Sequence, residues 1–143
     1  MKVLDVDPTT ICDVYVKEIR SLLELAVPAW HGGLTCKQSV DIERVQKVAV
    51  QVIFSDCKTG ISDFTYDMAM ASLDLEPLET RRKRLCLGFA KKSLKSRHSD
   101  IFSKNLSQYE TRGKPVYHEE TCNTKRYYNS PLNYLTRLLN SKK

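Results

Sequence analysis

An all-α fold is predicted for this 143-residue chain: a small helical bundle, made of a helical hairpin and a basic third long helix, with an extended, partly disordered C-terminal arm. Three observations predict it. Apolar residues recur at three- and four-residue steps over three separate windows, the spacing that lines one face of a helix. A capping box and two prolines stand at the edges of those windows, where helix boundaries favour them. Hydrophobic residues make up 41% and charged residues 28% of the chain, a balance that suits a packed globular core and is too apolar for full disorder.

The first helix has Thr9 or Thr10 as N-cap and Asp13 in its first turn, where the macrodipole favours an anion. Ile11, Val14, Tyr15, Ile19, Leu22, Leu23 and Ala26 form its apolar face. Pro28 is expected to stop it, because the residue before a proline is pushed out of the helical region. Pro28 to Gly33 then reads as a turn, with glycines that permit positive φ. Its Trp30 and His31 are expected to pack against the second helix. That helix opens on the capping box Thr35–Gln38 and runs to about Phe54, with Ile42, Val45, Ala49, Val52 and Ile53 inward and Asp41, Glu43, Arg44 and Lys47 outward.

A loop with Gly60 as its turn point leads to a short helix from Tyr66 to Leu73, built on Tyr66, Ala69, Met70 and Leu73. Pro77 suits the first turn of the third long helix, Leu78 to Leu94, with Leu78, Leu85, Cys86, Phe89 and Ala90 facing inward. Ile101, Phe102 and Leu106 are expected to dock as one more turn. Gln108 to Asn129 is polar and reads as the extended arm, and Pro131 to Leu139 as a short terminal helix using Leu132, Leu135, Leu138 and Leu139. The expected organisation is a bundle domain over 1–97 and a basic arm over 98–143.

Charge divides the chain more sharply than pattern does. Residues 1–80 carry 7 Lys or Arg against 13 Asp or Glu, whereas residues 81–143 carry 16 against 4. A positive half of that density prepares a surface for a polyanion. Arg81, Arg82, Arg84, Lys91, Lys92 and Lys95 are the expected phosphate contacts on the third helix, each adding to a salt-dependent affinity. Lys125, Arg126, Tyr127 and Tyr128, with Tyr109, Arg112 and Tyr117 before them, interleave cations with rings that can stack on bases.

Little else carries chemistry. Cys12, Cys36, Cys57, Cys86 and Cys122 lie far apart, with no Cys-x-x-Cys or His-x-x-x-His spacing, and read as separate reduced thiols, several of them buried. No metal and no cofactor are expected. Gly32 and Gly33 lack the Gly-Lys-Ser/Thr of a phosphate loop, and His31 has no nucleophile or orienting acid at a recognisable spacing. His98 and His118 stand alone on polar segments. No apolar run approaches the roughly 20 residues of a membrane span, and no secretory signal is visible, so a cytoplasmic or nuclear chain without membrane contact is expected.

Five motifs, in order, resemble non-LTR retrotransposon polyproteins of the jockey and chicken-repeat type. Leu22 to Thr35 is similar to the family's "vLEYa-PvWH-gLT", and Ile42 to Lys47 to its "iErVQKrAl". Tyr66 with Ala69 and Met70 resembles "Y-eAL"; Leu78, Glu79, Arg81, Arg82, Leu85, Cys86 and Phe89 to Lys92 resemble "Le-RR-eLc-kFakK". Thr124 to Tyr127 and Ser130 to Leu135 resemble the closing "TeRyk-SpipYL". Together they cover about residues 10 to 140. Leu25 stands where the family usually has Tyr, Ala29 where Val is common, and Val48 where Arg is frequent. The resemblance places the chain in the thumb-like, post-palm region of an RNA-directed DNA polymerase, without the palm's Asp-Asp pair that holds the catalytic metals. It implies a chain with no catalytic residues of its own, holding RNA or an RNA–DNA hybrid weakly and salt-dependently, with the absent palm domain as a natural partner. The alternative is a structural or interaction module, or a relic of a transposable element.

Overall fold

The computed structural model describes residues 7–55, 66–97, 99–105 and 115–141. The loop expected around Gly60 lies outside these residues, as do Cys57, His98, Leu106, Tyr109 and Arg112. Every regular element among the described residues is helical, apart from one isolated antiparallel bridge between Lys104 and Tyr117. No helix among them is long and apolar enough to cross a membrane.

The chain forms two compact units, residues 1–25 with 35–81, and residues 26–34 with 82–143. In the first unit, α1 (Pro8–Val14) starts one residue before Thr9, with Pro8 in its first turn and Asp7 as N-cap. Proline is favoured there because its missing N–H would have had no partner. The helix continues through a π-helical stretch, Tyr15–Arg20, and α2 (Ser21–Glu24). It packs against α4 (Cys36–Ser55) and α5 (Tyr66–Ser72) around Cys12, Tyr15, Val50, Ile53, Ala69, Met70 and Leu75. The Thr35–Gln38 capping box forms as expected: Gln38 N–H donates to Thr35 Oγ1 at 3.2 Å and Thr35 N–H to Gln38 Oε1 at 3.0 Å.

The buried face of α4 is rotated from the expected one. Gln46, Val50 and Ile53 are buried, while Val45 and Val52 stand 39% and 53% exposed. Gln46 tolerates burial because its amide is satisfied: Tyr15 O–H donates to Oε1 at 3.0 Å, and Nε2 donates to the Glu76 carbonyl at 3.1 Å and to Met70 Sδ at 3.2 Å. An apolar-only pattern passes over such a row. Glu43, expected outward, instead accepts the backbone N–H groups of Leu78 and Glu79, where α6 (Leu78–Lys95) begins.

In the second unit, Pro28 opens a helix rather than closing one. The first helix ends at Glu24, Ala26 takes the left-handed conformation at φ 52°, and α3 (Val27–Trp30) follows with Pro28 in its first turn. A 3₁₀ turn, His31–Gly33, completes the connection. Val27 joins Cys86, Ala90, Phe102 and Leu135 in a second core, with Trp30, Leu94, Tyr117, Tyr134, Leu138 and Leu139 packed around it. The terminal helix is α8 (Pro131–Asn140), and its Leu135 covers the inward face of α6 together with Phe102. The segment beyond residue 97 is therefore part of a core, because the Cys86–Ala90 face needs its leucines and Phe102 for cover. Residues 115–124 run without helix, and Asn140 pairs with both backbone groups of Tyr117 at 3.0 Å each. Phe89, expected inward, is 50% exposed, because it lies about 60° round the helix from Cys86, at the margin of the buried face.

Candidate nucleic-acid interface

Helix α6 sorts its basic residues by angle. At roughly 100° per residue, Arg84, Lys91, Lys92 and Lys95 fall within about 100° of arc, and Arg82 lies about 160° from Arg84. The first four are exposed and Arg82 is 1% exposed. Among the described residues, Lys91, Lys92 and Lys95 belong to no ion pair. Arg81 is committed within the first unit. Its Nε bonds the Glu24 carboxylate and its Nη1 lies 3.5 Å from Glu76, while Arg20 reaches Glu24 at 3.0 Å and Glu76 at 3.9 Å. Two guanidiniums and two carboxylates thus neutralise one another at partly buried positions. The hydrogen bond that Arg81 donates to Glu24, working against desolvation, raises the Arg81 pKa above its ordinary value. The i,i+4 spacing of Arg20 and Glu24 was a visible signal for half of this cluster.

The second cationic group sits on α7 (Lys125–Tyr128), capped by Thr124, whose Oγ1 accepts the Tyr127 N–H at 3.2 Å. Lys125 and Arg126 are exposed and, among the described residues, in no ion pair. Tyr127 is 46% exposed, and its phenol donates to the Glu120 carboxylate, which raises its pKa. Tyr128 is 49% exposed, with the Arg137 guanidinium 3.5 Å from its ring centroid. Arg137 also donates to the Tyr128 carbonyl at 2.6 Å, so this ring is already stacked on one face.

Beside α7 lies a cleft of about 480 Å³, wholly within the second unit. Trp30, Gly33, Thr124, Arg126, Tyr127 and Pro131 are among the residues that line it. Trp30 was expected to pack on the second helix as a structural turn residue; its place in this cleft was not foreseen. His31 packs edge-on to Tyr134, with ring centroids 5.3 Å apart at 82°. Gly32 is required by proximity rather than by φ: a Cβ there would lie 2.8 Å from Tyr134 Cβ and 2.9 Å from the Asn129 carbonyl. Among the described residues, no three His, Cys, Asp or Glu side chains gather as a metal-ligand group. Cys12 and Cys86 are buried, and burial pushes the Cys86 thiol up to about 11; Cys36 is exposed. Comparison with family models, curated proteins and solved structures gives no match for the chain.

Proposed function

We propose that the chain is a non-catalytic module that holds RNA or an RNA–DNA primer–template, resembling the post-palm region of a non-LTR retrotransposon reverse transcriptase. One observation carries the reading: Arg84, Lys91, Lys92 and Lys95 stand exposed on one face of α6, the three lysines without an ion-pair partner among the described residues. Such a ridge follows a phosphate backbone and releases its counterions on contact. Arg81 and Arg82 are left out of the proposed contact surface, because one is ion-paired and the other buried.

The test is binding to a labelled RNA–DNA primer–template across a salt series, beside a variant with Arg84, Lys91, Lys92 and Lys95 changed to glutamine. Binding that weakens with salt and collapses in the folded variant supports the reading; no binding at low salt overturns it. A second reading, an interaction module, is favoured by Val45, Val48 and Val52, exposed at 39%, 50% and 53% with i, i+3, i+7 spacing on α4. Sedimentation showing self-association without nucleic acid that persists at high salt would favour that alternative.

A further inference from the structure

The geometry points to a further site: the cleft between Trp30 and Tyr127 takes one unpaired base of a single-stranded nucleic acid, with Arg126 on its flanking phosphate. This rests on the nucleic-acid reading above and adds a ligand class, an unpaired nucleotide rather than a duplex backbone. The cleft's volume of about 480 Å³ falls within the range of roughly 300–1,000 Å³ usual for small-molecule sites. Its walls are chemically matched to a base. Trp30 and Tyr127 offer aromatic surface, and rings of this kind stack on any base because every base has a π-face. Thr124 and Asn129 bring polar groups to the lining.

The charge of the rim fits the same ligand. Arg126 and its neighbour Lys125 are exposed without an ion-pair partner among the described residues. The acidic groups nearby are turned to other tasks: Glu120 accepts the Tyr127 phenol and Glu119 accepts the Asn140 amide at 2.7 Å. The cleft is also held in shape. Gly32 lets the backbone before Gly33 approach Asn129 and Tyr134 closely, which joins the Trp30 wall to the start of α8. Tyr127 is held at its backbone by Thr124 and at its phenol by Glu120. A duplex keeps its bases stacked within the helix and cannot deliver one to such a cleft unless a base is extruded.

Trp30 is the only tryptophan in the chain, so its emission reports this cleft alone. The experiment titrates the whole protein with a fluorescently labelled single-stranded oligonucleotide, reading label anisotropy for total binding and Trp30 emission for cleft occupancy. Parallel titrations use a blunt duplex and a free nucleoside monophosphate. Two variants preserve the fold: Arg126→Gln changes an exposed side chain, and Gly33→Leu places a side chain where a Cβ meets nothing within 4 Å. The expected result is saturable Trp30 quenching by the single strand and little by the duplex. Binding should weaken about tenfold in Gly33→Leu, the scale of one lost base stack. Arg126→Gln should weaken the oligonucleotide and the monophosphate alike. Anisotropy that rises with unchanged Trp30 emission, and with Gly33→Leu binding as the parent does, overturns the cleft while leaving the holding module intact. No rise in anisotropy overturns both.

Discussion

Gln46 and Tyr15 set the chemistry of the first core at the scale of single residues. Tyr15 is 2% exposed and Gln46 is fully buried, so the hydrogen bond between them satisfies two groups that water cannot reach. Tyr15→Phe keeps the ring and leaves Gln46 Oε1 without that donor, and should cost about 1–3 kcal/mol in chemical denaturation at neutral pH. The same residue gives a pH signature. Burial pushes Tyr15 up to about 12, so the native state keeps its proton after the unfolded chain, titrating near 10, has lost it. Its contribution is therefore intact below pH 10 and lost as pH rises from 10 to 12. The stability gap between parent and Tyr15→Phe should shrink over that window; a gap constant from pH 8 to 12 would show that Tyr15 does not titrate this way. Ala26 works in the opposite sense. Its φ of 52° is costly for a residue with a Cβ, so Ala26→Gly should be neutral or stabilising by up to about 1 kcal/mol, despite loosening the unfolded chain.

At the scale of elements, α6 begins where a side chain from another helix meets it. Glu43 places both carboxylate oxygens on the Leu78 and Glu79 N–H groups, doing across space what a local N-cap does in sequence. Glu43→Gln keeps the shape and removes the charge, and should cost about 1 kcal/mol in thermal or chemical unfolding. An unchanged midpoint would mean that the carboxylate charge contributes nothing at this helix end. Gly32→Ala should cost more, about 1–3 kcal/mol, because its Cβ would press on a backbone carbonyl and a Tyr134 Cβ, neither at the end of a flexible chain. The periodic helices were legible from sequence because apolar spacing and local caps are local signals: Cys36–Ser55, Tyr66–Ser72 and Pro131–Asn140 all fall close to their expected spans. Tertiary partners were not legible in the same way. The buried row of α4 runs through a glutamine, Pro28 serves as a helix start, and α6 is covered by Val27, Phe102 and Leu135 from three separate stretches of chain. Each depends on contacts far apart in sequence, which periodicity cannot report.

For the whole molecule, charge was the legible part of the candidate site and exposure was not. The run Arg81 to Arg84 looks uniform as text, yet helix angle and the Glu24–Glu76 carboxylates withdraw Arg81 and Arg82 from the exposed face. Trp30 gave no such signal, because its position in the cleft depends on residues about 100 positions later. What remains outward on α6 is Arg84, Lys91, Lys92 and Lys95, and their number fixes a quantity. Each cation that displaces counterions from a single strand contributes roughly −0.7 to the slope of log affinity against log salt. If all four contact phosphate, their replacement by glutamine should make the slope shallower by about 3. The cleft contributes differently, since base stacking is insensitive to salt to first order, and Gly33→Leu should lower affinity with the slope nearly unchanged. Affinity measured from low to moderate salt in both variants separates the two. A four-cation variant with the parent's slope would show that the bound strand does not run along α6, and would move the contact surface to Lys125 and Arg126.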